Sequence, residues 1–136
     1  MSGAILAFLA VVILGGAYVT YGSYVARRLG IDPSRPTPAH VNRDGVDYVP
    51  APSFVLMGHH FASIAGAAPI AGPITAAVFG WVPVVLWIFL GGIFAGAVHD
   101  FAALVASVRH GGKSIGEVIG DNVGPGGRVL FLLFAW

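Results

Sequence analysis

The residues best suited to chemistry lie in or beside a stretch without formal charge. From Tyr48 to His99, 52 residues pass without an Asp, Glu, Lys or Arg. Inside this run are His59, His60 and the sequence Gly66-Ala67-Ala68-Pro69-Ile70-Ala71-Gly72-Pro73, and Asp100 follows it directly. Proline lacks an N–H and clashes with the carbonyl four residues back. Two prolines four apart, flanked by Gly66 and Gly72, therefore concentrate the damage to a helix in one turn. The first half-helix then ends in bare carbonyls around Ala65 and Gly66, suited to a cation or a proton carrier. The second half is expected to start at Pro73, a favoured first-turn position, with free N–H groups suited to a carboxylate. The competing reading is a proline kink in a purely structural helix.

His59 and His60 precede the break. Neutral histidine shuttles protons near physiological pH, but adjacent helical residues diverge by about 100°, so both rings cannot serve one ligand equally. A pair of interfacial histidines is the alternative. Asp100 lies nine residues before Arg109, roughly 13 Å by helical rise. That places it within a membrane-spanning segment, where a carboxylate faces protein or a water cavity. It serves either function or a structural hydrogen-bond hub. At a 3.6-residue period it aligns with the small pair Gly92 and Gly96, spaced GxxxG for close helix contact.

Other chemistries lack their residues. There is no cysteine, hence no disulfide and no thiolate metal site. His40, His99 and His110 have no supporting ligand spacing for a metal. No basic tract points to nucleic acid. Gly112-Lys113-Ser114 lacks the upstream glycine and strand of a phosphate loop. Asn42 to Asp47 lacks the alternating ligands and closing Glu of an EF-hand. With no paired carboxylates, no nucleophile beside a base and no cofactor loop, the residues point away from an enzyme and call for no cofactor.

The elements that must position these residues are set by charge placement. Of 136 residues, 57% are hydrophobic and 10% charged, against roughly 25% charged in soluble domains; a soluble monomer and a disordered chain are both excluded. A spanning helix needs about 20 apolar residues. The spacing predicts spans over about 4–26, over 54–80 broken near 66–73, and over 81–108. Gly58, Ala62, Ala65 and Gly66 let neighbouring helices approach the broken span closely. Arg27 and Arg28 follow the first apolar core, unlike a cleavable signal peptide. All seven Lys and Arg fall on one side of this arrangement, which places the N-terminus outside. Ser114 and Glu117 have capping-box spacing, so an amphipathic helix over about 114–123 is expected on the inner surface, closed by Gly124-Pro125. From about Arg128 a further span begins and is cut short.

Four linked motifs carry a resemblance. They are Asp32-Pro33-Ser34-Arg35-Pro36-Thr37-Pro38, Asn42-Arg43-Asp44-Gly45-Val46-Asp47-Tyr48-Val49-Pro50, Gly58-His59-His60-Phe61 through Pro73, and Gly96-Ala97-Val98-His99-Asp100-Phe101. From about Tyr21 to Gly124 the chain resembles the carbon starvation protein A family. The resemblance implies a bacterial inner-membrane carrier for peptides or pyruvate, with proton coupling in the pyruvate members. It also implies an all-α integral membrane fold of the amino acid–polyamine–organocation type, whose core begins with a discontinuous helix running from inside to outside. Family members continue through many further helices, including the second broken helix that completes the site, so the chain reads as their N-terminal portion.

Two functional expectations follow. The first is the N-terminal fragment of a proton-coupled carrier for small carboxylates or peptides. In it, the half-helix N-terminus at Pro73 takes the substrate carboxylate, the backbone around Ala65 and Gly66 takes the ion, His59, His60 and Asp100 are candidate proton-linked residues, and Gly58, Pro69 and Gly72 belong to the candidate substrate and ion pathway. Its partners are the lipid bilayer and the remaining helices of its own full-length chain. The second is a small non-catalytic membrane subunit packed against a larger complex. The predicted topology is checked by introducing Ser2→Cys, Ser34→Cys, Trp81→Cys and Ser114→Cys singly and adding an impermeant thiol reagent. In intact cells Ser2→Cys and Trp81→Cys should label, and labelling of Ser34→Cys or Ser114→Cys would overturn the orientation.

Overall fold

The computed structural model describes residues 2–136, with only the backbone described at Ala68. Among the described residues every regular element is helical. α1 runs Gly3–Arg28 and passes through a π-helical stretch at Tyr18–Gly22. α2 is Pro38–Val41, α3 is Ser53–Ile64, and α4 is Ala67–Ala76, followed by a 3-10 turn. α5 runs Trp81–Arg109 with a second π-helical stretch at Gly91–Gly96. α6 is Ile115–Val123 and α7 is Pro125–Ala135. α1 and α5 are long and apolar enough to cross a membrane; α3 and α4 reach that length only as a bent pair. α7 is apolar but shorter than a span, and starts three residues before Arg128.

The chain divides into two compact units, one of residues 1–28 and 51–98, the other of residues 29–50 and 99–136. In the first, helices form because a backbone in an apolar environment must satisfy itself. The π stretches open i→i+4 bonds, and hydroxyls return some of the lost donors: Thr20 donates to Gly16 at 2.7 Å and Ser23 to Val19 at 2.6 Å. Tyr21 meets Phe94 edge to face, centroids 5.0 Å apart, so the two π stretches are joined by an aromatic contact. A π turn takes up an extra residue relative to an α turn. Gly92 and Gly96 lie within the second π stretch, and Asp100 follows in the α-helical turn after it. Gly80, at φ +104, is the one residue between the 3-10 turn and α5.

The second unit is held by polar pins. Asp44 Oδ1 accepts the N–H groups of Val46, Asp47 and Tyr48, each at 2.9 Å, which closes that turn on itself. The Tyr48 N–H leads the causes that hold the Asp44 carboxyl below its usual range; in Asp32 the Ser34 hydroxyl does the same. The Tyr48 hydroxyl donates to the Gly111 carbonyl at 2.8 Å, and the Arg109 guanidinium donates to the carbonyls of Leu29 and Gly30. The loop is thereby strapped to the end of α5.

α6 opens with a formed capping box: Glu117 N–H donates to Ser114 Oγ, and Ser114 N–H donates to the Glu117 carboxylate at 3.0 Å. Gly124, at φ +102, turns the chain, and Pro125 takes the first position of α7, where its missing N–H costs nothing. α6 and α7 pack against each other at small residues. Gly116 faces Phe131 and Leu132, and the Arg128 stem lies over Gly120. Gly116 and Val118 are the only buried residues among those described. A Cβ at Gly127 would sit 2.8 Å from Val123 Cγ1, whereas one at Gly126 would meet nothing within 4 Å. Gly127→Ala should therefore loosen the α6–α7 pair by about 1–3 kcal/mol, and Gly126→Ala should not. Amide exchange over Ile115–Ala135 in lipid nanodiscs reads the difference.

Candidate functional site

The break between α3 and α4 is two residues wide. Ala65 (φ −74, ψ 48) ends α3 with its N–H on the Phe61 carbonyl at 2.8 Å. Gly66 is extended (φ −77, ψ −175), and its N–H turns back to the Ile64 carbonyl at 2.8 Å. The flanking helices diverge by 45°.

Pro69 is the cause. Its ring would strike the Ala65 carbonyl, four residues back, if the helix continued. As the third residue of α4 it sits in the first turn, where no N–H is needed. Gly66 contributes less than its type suggests. Its φ suits any residue, and a Cβ there would meet nothing within 4 Å.

This corrects one expectation. The second half-helix starts at Ala67, not at Pro73, which is the seventh residue of α4 and lies inside it. Pro73 leaves the Pro69 carbonyl without a helical donor, at a local cost of about 3 kcal/mol. Gly72 is likewise interior, and its carbonyl accepts the Thr75 hydroxyl at 2.9 Å. The free donors therefore move six residues upstream, to the N–H groups of Ala67 and Ala68, because Pro69 has none. Opposite them in the chain are three carbonyls without helical donors, one of them Ser63, whose donor would be the free Ala67 N–H. Ala62 loses its donor because the Gly66 N–H is turned to Ile64, and Ala65 loses its donor to Pro69. The break thus joins bare acceptors and bare donors within a charge-free segment.

The other predicted residues are placed separately. Gly58, His59 and His60 lie on α3 before the break. His59 is exposed and His60 half-buried, and the Ser63 hydroxyl donates to the His59 carbonyl at 2.9 Å. Asp100 belongs to the other compact unit. There its Oδ1 lies 3.2 Å from Nδ1 of His99, whose side chain is 82% exposed against 37% for Asp100. Sequence spacing passed over His99 because it sought a metal set; sequence adjacency to Asp100 was the available signal. Among the described residues no group of three or more His, Asp or Glu is placed to hold a metal.

An all-helical chain with two helices long and apolar enough to span, and a third path broken by proline, is a membrane protein. It belongs to the family of carbon starvation protein CstA, whose model matches residues 2–136. It is 52% identical over 120 residues to the peptide transporter CstA of Campylobacter jejuni, covering 86% of this chain and 17% of that protein. It is 49% identical over 110 residues to the pyruvate/proton symporter BtsT of Escherichia coli, covering 80% of this chain and 15% of that protein. The peptide transporter CstA of Mycobacterium tuberculosis is 40% identical over 128 residues, covering 90% of this chain and 17% of that protein. The chain thus spans about a sixth of the length of these curated relatives. No solved structure matches.

If Pro69 rather than Gly66 makes the break, Pro69→Ala should straighten it and Gly66→Ala should leave it bent. Spin labels at Phe54→Cys and Phe79→Cys report this. Straightening a 45° bend between two half-helices should lengthen their separation by about 3 Å at helical rise.

Proposed function

We propose that this chain is the N-terminal part of a proton-coupled secondary carrier of the bacterial inner membrane, taking up pyruvate or short peptides. The observation that carries the reading is the backbone site at Ala65–Gly66. Discontinuous helices are a recurrent means by which carriers hold substrate and coupling ion, and the named relatives include peptide transporters and a pyruvate/proton symporter.

In this reading the N–H groups of Ala67 and Ala68 bind the substrate carboxylate. The partial positive charge of a helix start is what an anion needs where water is scarce. The carbonyls of Ala62 and Ala65 face the cationic partner, either a protonated carrier group or the amino terminus of a peptide. Pro69 keeps the donors bare by preventing the half-helices from fusing. Pro73 removes a further internal bond and leaves α4 able to flex. His59, His60 and Asp100 are the titratable groups offered for the coupling proton, Asp100 with His99 beside it. Further helices of the full-length carrier complete the site, with the N-terminus of this chain outside and both Arg-bearing loops inside.

The test uses the full-length carrier with Pro69→Ala and Pro73→Ala combined, and Asp100→Asn separately. The fused helix satisfies its own backbone, so membrane abundance should be normal while binding of pyruvate or a short peptide is lost. Asp100→Asn should insert normally and flatten the pH profile of uptake. Retained binding in the proline variant at normal abundance overturns the site at the break, and an unchanged pH profile returns Asp100 to a structural role.

A further inference from the structure

The turn after α5 carries a histidine that has no part in the break. Nδ1 of His110 lies 2.7 Å from the Ala106 carbonyl oxygen. A carbonyl only accepts, so Nδ1 holds the proton. Nε2 of the same ring lies 3.0 Å from Nδ2 of Asn122 on α6. In the neutral ring Nε2 is then the acceptor and the Asn122 amide the donor. The other amide hydrogen goes to the Val118 carbonyl at 2.8 Å. Turning the amide over would set Oδ1 against that carbonyl, acceptor against acceptor. The orientation is therefore fixed from both ends, and each hydrogen is used.

A second proton on the ring has no place in this arrangement, because Nε2–H would face an N–H donor. The surrounding charges are otherwise engaged. Arg109, on the same helix end, is committed to the carbonyls of Leu29 and Gly30. In the turn and α6, Lys113 pairs with Asp121 at 2.7 Å, and Glu117 is taken by Ser114. Arg128 enters from α7 and the Tyr48 hydroxyl from the loop, on Gly111. The Lys113 hydrogen bond first, then the positive fields of Lys113 and Arg128, keep the Asp121 carboxyl below its usual range. The Asp121 carboxylate is already bonded to Lys113, so protonating His110 breaks its bond to Asn122 without supplying another in its place.

We infer that His110 and Asn122 form a proton-released latch, in which the neutral imidazole holds α6 against the end of α5 and protonation frees it. Histidine is the side chain that changes charge between pH 5 and 8. The bond needs the neutral ring, so its contribution is present while the ring is neutral and is lost when the ring takes up a proton. Glu117 and Asp121, both held below the usual carboxylate range, stay ionised throughout and do not confound the change. Because α6 and α7 pack closely at Gly120 and Gly127, the pair moves as one when released.

The experiment is amide exchange over Ile115–Val123 in the full chain in lipid nanodiscs at pH 8 and pH 5.5, corrected for intrinsic rates. Wild type should lose protection by about two- to tenfold on acidification, the equilibrium change expected from one hydrogen bond. His110→Gln should show no such dependence, and His110→Ala should be poorly protected at both pH values. Equal protection of wild type at the two pH values, or the same loss in His110→Gln, overturns the latch. A second readout stands apart from the variants: the nitrogen shifts of His110 at pH 8 should report the Nδ1–H tautomer, and an Nε2–H tautomer refutes the inference.

Discussion

The constraint behind the arrangement is that a helix backbone in an apolar environment must supply its own hydrogen bonds, and proline cannot. In a 52-residue charge-free run no charged side chain is at hand to satisfy a stray carbonyl. Pro69 therefore acts on the backbone alone. It strikes the Ala65 carbonyl, ends α3, and tolerates only its own place in the first turn of α4. Everything chemically distinctive about the segment follows: the bare carbonyls at Ala62 and Ala65, the bare N–H groups at Ala67 and Ala68, and the 45° divergence of the half-helices. The break is made of main chain, which explains why its strongest signals in the sequence are prolines rather than titratable groups.

The other unit solves the opposite problem. Its loop carries four of the nine prolines and little regular structure, so its order comes from side chains that reach backbone. Asp44 closes one turn on three N–H groups, and Asp32 closes another. Tyr48 and Arg109 fasten the loop to the end of α5 at carbonyls a helix terminus leaves open. The bonds of Asp32, Asp44 and Arg109 are charge-assisted, and all of these bonds form where few side chains are buried. The capping box at Ser114 and Glu117 and the glycine contacts between α6 and α7 complete this unit by the same economy of small residues and terminal groups.

Burial makes plain what the rest of the surface is for. Val118 is the only buried hydrophobic residue among those described, and large apolar side chains along α1, α3 and α5 stand open. In water such a surface would aggregate. In a bilayer it is covered by lipid or by other helices, and packing there favours small residues and aromatic contacts such as Tyr21 with Phe94. The two π stretches meet at that contact. They bring irregular backbone close to a helix–helix surface, where π geometry is commonly found near function.

Sequence alone determined the long apolar helices, the proline-made break, the capping box and the turn at Gly124-Pro125. Each depends on residues within one or two turns of one another, and charge absence, missing N–H groups and cap spacing act at that range. It misplaced the start of the second half-helix at Pro73, because it weighed two prolines equally. Only the folded backbone shows that Pro69 sits in a first turn and Pro73 within a helix that bears its cost. Tertiary structure alone decided that Arg109 caps Leu29 and Gly30, that Tyr48 reaches Gly111, and that His110 meets Asn122. The partners in the first two pairs lie dozens of positions apart, and a hydrogen bond is set by where two atoms come to rest, which spacing along the chain does not encode.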